Sequence, residues 1–475
     1  MIRFTKSNSK CKLKCTSPEM LECIVENFTR ETPGMQFSKN KNRYAHMRMA
    51  VSKVGLMPIG LVGEVYRYII EELKYNKDLV EIDKDVIKLY VPNLGKDISV
   101  SNDLVYDLRY YQDAAAKLAV KRGRGIILHA TGAGKTLTTA SIVQSHIDHN
   151  PNLRILMIVP NPTLMNQTYQ DFLDYDVKFT TQKWSVKDRD LDRSKQLVMT
   201  STSFLISSFK SDKNVIKDFD MLVIDECHSL LPGNVLTEVI NSCNTSNIFG
   251  FTGTLPPDDY NRWIIIGKVG DVIHYKNSKD LRDEGFLTDA RIFCYQLMYP
   301  FVKLKDYREE LNFIFTSEKR NKLIAKICTQ KLKGTTLIIY HKTLQGDNIY
   351  RALIDEGFEK HAHIIKGDVP ADSREEIKDK MRNDDHCIVV ANAKIFSTGL
   401  SINEIANVMF VDGGKSQISI IQSIGRGLRL MEGMEVLNII DISDDLEYSV
   451  KHFAERTLIY NKQSIPFKVI EVDLR

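Results

Sequence analysis

Long apolar runs are missing from this sequence. No stretch of about 18 apolar residues occurs, and no leader pattern stands at the start, so neither a membrane-spanning helix nor a secreted chain is expected. Proline is sparse, at 13 of 475 residues, and there is no low-complexity tract or internal repeat. Collagenous, solenoid and disordered-linker architectures are thereby excluded. The eight cysteines include no C-x₂-C pair, and the trio Cys11, Cys15 and Cys23 has no neighbouring histidine. A zinc site is therefore not expected, and reduced thiols in a cytosol-like compartment fit better. Net charge is also small: 65 basic against 61 acidic residues leave only +4, so the chain as a whole is no polycation.

Hydrophobic residues are plentiful, at 43%, and 475 residues are too many for one ordinary domain and suit three. Positive charge gathers at the front. Residues 1–53 carry eleven Lys or Arg, Arg43 among them, against Glu19, Glu22, Glu26 and Glu31. That excess suits a phosphate-facing patch, although a solvated basic surface would look the same. Leu61–Tyr75 has a helical stripe, Gly55, Pro58, Gly60 and Gly63 before it read as a turn, and Asp85–Val91 reads as a strand. These features suggest a small α+β domain over residues 1–98.

From about residue 125, short apolar runs alternate with helical stretches: Gly125–Leu128, Ile155–Val159, Leu197–Met199, Met221–Ile224 and Ile248–Phe251. A second series comprises Thr336–Tyr340, His363–Ile365, Cys387–Ala391, Val408–Val411 and Leu437–Ile442. Alternation of this kind signals parallel, doubly wound sheets whose ligands sit at the carboxyl ends of the strands. Two α/β lobes are expected, over 99–285 and 286–475.

The chemistry is densest in the first lobe. Strand Gly125–Leu128 runs into His129-Ala130-Thr131-Gly132-Ala133-Gly134-Lys135-Thr136. Glycines 132 and 134 let the backbone curl so that N–H groups face phosphate oxygens. Lys135 would reach the β- and γ-phosphates and the Thr136 hydroxyl would ligate Mg²⁺. His129 stands where the strict pattern has glycine. A second strand ends in Asp225-Glu226-Cys227-His228, with Asp225 suited to hold Mg²⁺ and Glu226 to orient and deprotonate the attacking water. A carboxylate pair at a strand end could instead cap a helix, but that leaves its succession to a phosphate loop unexplained. Upstream, Arg109 and Gln112 lie about twenty residues before the loop, and an amide suits the donor–acceptor edge of adenine.

Arg109-Tyr110-Tyr111-Gln112, the loop ending Gly134-Lys135-Thr136, Asp225-Glu226-Cys227-His228 and Thr252-Gly253-Thr254 resemble motifs Q, I, II and III of superfamily 2 helicases, in order and at the right spacing. Gln422-Ser423-Ile424-Gly425-Arg426-Gly427-Leu428-Arg429 resembles motif VI. The resemblance implies two tandem RecA-like lobes and an ATP shared by them, with Arg426 and Arg429 stabilising transition-state charge, an effect worth roughly 10³–10⁵ in rate. It also implies a nucleotide contact at Gly399 and a catalytic role for Gln422. Val159-Pro160-Asn161-Pro162-Thr163-Leu164 and Met199-Thr200-Ser201 resemble motifs Ia and Ic. His341-Lys342-Thr343 and Ser397-Thr398-Gly399 resemble motifs IV and V. Pro160, Thr163, Thr200, Ser201, Lys342, Thr343 and Thr398 are thus expected on a phosphate backbone, gripped without regard to sequence. Gly413-Gly414-Lys415-Ser416 imitates a phosphate loop, but Met409 occupies the first glycine position and no carboxylate pair comes after it.

Over nearly its whole length the chain resembles the phage UvsW-type DNA helicases, including the front-domain segments Arg43-Tyr44 and Met57-Pro58-Ile59-Gly60-Leu61-Val62-Gly63, a helix around 450–460 and a strand around 467–472. That resemblance implies a monomeric motor in the host cytoplasm, remodelling forks, Holliday junctions and other branched DNA with ATP and Mg²⁺. An RNA helicase would share the ATP chemistry, a restriction-type complex could use the same motor, and an ATP-gated scaffold without turnover is the non-enzymatic alternative.

Overall fold

The computed structural model describes residues 1–31, 47–101, 103–243, 245–287, 289–300, 302–366, 380, 381, 383, 384, 386–392, 405–412, 436–462 and 465–474. Two compact units divide between Asn277 and Ser278.

The first unit begins with strands β1 (Ile2–Ser7) and β2 (Lys10–Cys15), helix α1 (Pro18–Asn27), and the short strand pair β3 (Thr29–Glu31) and β4 (Met47–Met49). Next come strand β5 (Leu56–Pro58), helix α2 (Val62–Arg67), β6 (Val80–Ile82) and α3 (Lys84–Tyr90). The sheet order is β5-β2-β1-β6. Ile2, Phe4, Cys11, Leu13 and Met57 form one apolar face, packed on Ile24, Val25, Val62, Val65, Ile69 and Val86. The segment expected as a strand at Asp85–Val91 is instead helix α3, which starts after Asp83 in extended conformation and buries Val86. A short apolar run fits either period, and burial of one side of this run favours the helix.

The front element shares its core with the first lobe rather than standing apart from it. One continuous apolar cluster runs from Ile2 and Phe4 through Leu61, Ile266 and Val269 to Leu222 and Ile224 of the next sheet. Gly60 and Gly63, read as turn residues, sit in helical segments. A Cβ on Gly60 would run into the Ile266 carbonyl, and one on Gly63 into Tyr90 and Asp271. Their smallness permits close backbone approach. Of the three glycines read as a turn, Gly55 is the one in a left-handed conformation, at φ 77°.

The first lobe continues with α4 (Tyr110–Arg122), β7 (Arg124–His129), α5 (Lys135–His149), β8 (Ile155–Val159), α6 (Pro162–Asp174), β9 (Thr181–Trp184) and β10 (Leu197–Ser201). It closes with α7 (Thr202–Ser211), β11 (Met221–Asp225), α8 (Val235–Asn241), β12 (Asn247–Thr252), α9 (Asp259–Val269) and β13 (Val272–Lys276). All strand pairs are parallel, in the order β13-β7-β12-β11-β8-β10-β9. Strands β8 and β10 are buried on both faces, as a doubly covered parallel sheet requires.

The second unit contains α10 (Ser278–Asp283), β14 (Asp289–Met298), α11 (Tyr307–Thr316), α12 (Glu318–Lys326), β15 (Thr336–Tyr340), α13 (Thr343–Asp355) and β16 (Ala362–Ile365). Strands β17 (Ile388–Asn392), β18 (Asn407–Phe410) and β19 (Val436–Asp444), helix α14 (Glu447–Lys462) and strand β20 (Phe467–Asp473) complete it. Its sheet is also seven-stranded and parallel, in the order β16-β17-β15-β18-β19-β14-β20. The fold is α/β, with two tandem RecA-like sheets preceded by a small α+β element. Strands β9, β13 and β14 were not anticipated. β9 and β13 lie on sheet edges, where the apolar signal is weak.

Candidate nucleotide site

Strand order brings the chemistry together. Strand β7, which feeds the phosphate loop, pairs with β12, and β12 pairs with β11, which ends in Asp225. Thr252 at the end of β12 thus stands between the loop and the carboxylates, at the carboxyl edge where ligands of such sheets bind.

The loop leaves β7 at His129, and Gly132 and Gly134 adopt φ of 80° and 73°, a left-handed geometry closed to most L-residues. Lys135 opens α5 and its Nζ donates to the His129 carbonyl at 3.3 Å. Gln112 explains why Gly134 cannot carry a side chain, since its amide occupies the space a Cβ would need. Its Oε1 accepts the Arg109 N–H at 2.8 Å, and its Nε2 donates to the Gly134 carbonyl at 3.3 Å. The buried Gln112 therefore closes the capping box of α4 and also reaches the loop.

His129 supplies what glycine would not. Its ring is fully buried, with Nε2 2.8 Å from His274 Nδ1 on β13 and its edge against Tyr111. Lys276, nearly buried on the same strand, donates to the Tyr110 hydroxyl at 2.7 Å and lies over the Tyr110 and Tyr111 rings. The entry to the loop is thus tied to motif Q through aromatic and imidazole groups. Burial first, then His274, Lys135 and Lys276, push His129 down to about 3, so the ring is neutral at ordinary pH.

At the other carboxyl end, Glu226 sits at φ 49°, unusual for a residue with a side chain, and its N–H donates to Asp225 Oδ1 at 3.0 Å. This turn points the nearly buried Glu226 carboxylate toward His228, whose Nδ1 lies 3.1 Å from Glu226 Oε2 and 2.9 Å from the Thr252 hydroxyl. Thr252 in turn donates to the Thr254 carbonyl at 2.9 Å. His228 and Thr252 form a relay from the Glu226 carboxylate to the segment after β12. Sequence reasoning recognised both as motif members without seeing that they touch. Cys227 fills the space beside Gly250, and burial raises its thiol far above the ordinary range, so it is inert packing.

Comparison with known proteins agrees with this geometry. Residues 105–257 match the family of the type III restriction enzyme res subunit, and residues 318–431 match the helicase conserved C-terminal domain. The ATP-dependent DNA helicase uvsW of Enterobacteria phage T4 is 27% identical over 458 residues, covering 88% of each chain.

The chain carries both domains of a helicase.

As such it is an ATP-hydrolysing enzyme. The helicase is also similar to the DNA 3'-5' translocase XPB2 of Sulfurisphaera tokodaii, at 24% identity over 76% of this chain and 89% of that one. Among solved structures, a fragment of a putative HsdR subunit of a type I restriction enzyme from Vibrio vulnificus shares the fold. Its TM-score is 0.57 at 19% identity, over 86% of this chain and 74% of that chain.

Other expected contacts of the helicase fare unevenly. Thr163 is exposed on the first turn of α6, behind Pro160 and an Asn161 cap that accepts the Leu164 N–H at 2.9 Å. Lys342 and Thr343 are exposed at the start of α13. Thr200 and Ser201 correct the expectation: both are buried within β10, covered on its two faces, and their side chains are not offered to a strand of nucleic acid. Ser203 is the exposed hydroxyl at that strand end. Gln422, Arg426, Arg429, Thr398, Gly399, Arg43 and the Lys415 segment lie outside the described residues. No helix among the described residues is long and apolar enough to cross a membrane.

Proposed function

We propose that this helicase is a DNA motor that remodels branched DNA, driving forks, Holliday junctions and single/double-strand junctions as a monomer in the host cytoplasm. The observation that carries the reading is the 27% identity to the phage T4 DNA helicase over 88% of both chains. Energetics support it: moving a junction breaks and re-forms equivalent base pairs, whereas net unwinding loses about 1.4 kcal/mol per step. ATP is then needed chiefly for direction.

In this reading Thr131 to Thr136 cradle the triphosphate, with Lys135 on the β- and γ-phosphates and Arg109 and Gln112 at the adenine end. The left-handed Gly132 and Gly134 fit such a cradle. Thr136 and Asp225 would hold Mg²⁺, which supplies neutralising charge on the phosphates. Glu226 takes the proton of the attacking water, and Arg426, Arg429, Gln422 and Gly399 have the nucleotide-directed roles that the helicase resemblance implies. Thr163, Lys342, Thr343, Thr398 and Arg43 grip the phosphate backbone.

The test is strand exchange on synthetic forks and on three-way and four-way junctions, with Glu226→Gln as the inactive control. ATP-dependent conversion of junctions at lower ATP cost than unwinding of a plain duplex is expected. Equal stimulation of ATP turnover by RNA and DNA, or no action on any junction, would overturn the reading.

A further inference from the structure

The four-stranded sheet at the front of the chain has two unlike faces. Helices α1, α2 and α3 contribute Ile24, Val25, Val62, Val65 and Val86 to the core on the apolar face. On the other face, the register pairs Arg3 with Lys14, Thr5 with Lys12 and Ser7 with Lys10. Lys10, Lys12 and Lys14 therefore form a row along one strand, about 7 Å apart, because two residues of strand rise roughly 3.4 Å each. Arg3 is engaged by Asp83 at 2.8 Å and Glu81 at 3.6 Å. None of the three lysines has a carboxylate within ion-pair distance among the described residues, and Lys10 and Lys14 are exposed.

Beyond Lys10 the positive field continues onto α9. Burial chiefly, and then the charges of Lys10 and Arg124, bring Lys268 down to about 8, so Lys268 lies within reach of the Lys10 charge. The row is also rigidly attached. Arg30 pairs with Asp259 at 2.7 Å and lies 4.7 Å over the Trp263 ring, Arg48 lies 5.6 Å over Tyr260, and Phe28 packs on Trp263. Helix α9, which takes all these contacts, begins a few residues after the Thr252-to-Thr254 relay.

We infer that the open face of the front sheet is a seat for the phosphate backbone of duplex DNA, with Lys10, Lys12 and Lys14 each facing a successive phosphate. The inference rests on the DNA reading above and adds the surface on which the duplex lies. Charge complementarity selects the occupant: an evenly spaced cationic row suits a polyanion of regular repeat, and lysine contacts of this kind ignore base sequence. Attachment through α9 makes the seat move with the lobe that holds the phosphate loop.

The test uses the full-length protein and a short blunt DNA duplex. In Lys10→Gln/Lys12→Gln/Lys14→Gln, the slope of log affinity against log salt should flatten by about 0.9 per lost contact, and affinity should fall about tenfold or more. Hydrolysis of ATP without DNA and the melting temperature should not change, and the corresponding triple arginine variant should bind as the natural protein does. An unchanged slope would overturn the seat. So would an equal loss in Lys74→Gln/Lys77→Gln/Lys88→Gln, whose lysines are exposed elsewhere on the same element. Tighter binding of an RNA duplex would overturn the assignment to DNA. A flattened slope in a protein that remodels no junction would sink the junction reading and leave the seat standing.

Discussion

The two seven-stranded sheets share a parallel architecture but use their buried charge differently. In the first, charged and polar side chains converge on the carboxyl edge: Lys135, Asp225, Glu226 and His228 surround the phosphate loop. In the second, buried charge is turned inward. Arg320 and Asp444 are both fully buried and joined at 2.8 Å, with the Tyr299 hydroxyl donating to the same carboxylate at 2.7 Å. Arg456 and Tyr460 of α14 converge on Asp441 at 2.9 and 2.8 Å, and these groups are fully buried too. Both aspartates belong to β19, so the ion pairs lock α12 and α14 to one central strand. At the carboxyl edge of this sheet, His341 lies 2.5 Å from Asp412, and Gln345 donates to the Val411 carbonyl at 2.7 Å. Among the described residues, the first sheet's charges gather at the phosphate loop, whereas the second sheet's buried charges are committed to its own strands. Removing Glu226 from the first should cost activity, and removing Arg320 from the second should cost stability.

The largest expected effect breaks the first sheet's chemistry. Glu226→Gln should lower ATP turnover by about 10²–10⁴-fold, the range of a lost general base. Its melting temperature should stay within a degree or two of the natural protein, as calorimetry beside phosphate release would show. Next, Arg320→Leu should leave Asp444 buried without its partner and destabilise the second unit by about 3–5 kcal/mol in denaturant unfolding. Pairing it with Asp444→Leu should recover part of that loss; no recovery would mean that the pair is not what holds α12 to β19.

A smaller effect is expected at the join between the front element and the first lobe. Gly60→Ala drives a methyl group against the Ile266 carbonyl and should cost about 1–3 kcal/mol. If thermal melts show no loss, the two elements are not packed as described. For the same reason, cutting the chain at residue 98 would expose Leu61 and Ile266 and is a poor test of what the front element does.

The smallest effect is on pH. Burial holds His129 at about 3 and His146 at about 4, well below the ordinary value. Between those values and about 6.5 the unfolded chain binds more protons than the folded one, so stability is complete above about 6.5 and declines as pH falls. Melting temperature should therefore drop from pH 7 to pH 5, and less steeply in His129→Gln. A parallel decline in that variant would show that the loop-entry histidine does not contribute.

The motifs of the candidate nucleotide site could be picked out without a structure, because the parts of each are contiguous. Left-handed glycines, a lysine and a hydroxyl must come directly after a strand to cradle phosphate, and Asp225-Glu226 must end another. Interior strands such as Ile155–Val159 and Thr336–Tyr340 were legible to the residue, because burial on both faces leaves an unbroken apolar run. Edge strands β9 and β13 were not, since partial exposure dilutes that run. Short segments misled in both directions: Asp85–Val91 fits two periods, and Thr200 looked like a loop hydroxyl until its strand was covered.

What the sequence by itself determined, then, is the kind of reaction and the two-sheet plan, since phosphate loops and alternating strands are encoded within a few residues of one another. Tertiary structure alone decided the rest. It set β12 between β7 and β11, brought His228 to Thr252 and Gln112 to Gly134, and assigned Gly60 to helix packing rather than to a turn. It also packed the helices on the opposite face of the sheet from Lys10, Lys12 and Lys14. Each of these depends on contacts between residues far apart in the chain, and local periodicity carries no information about which distant surface will arrive.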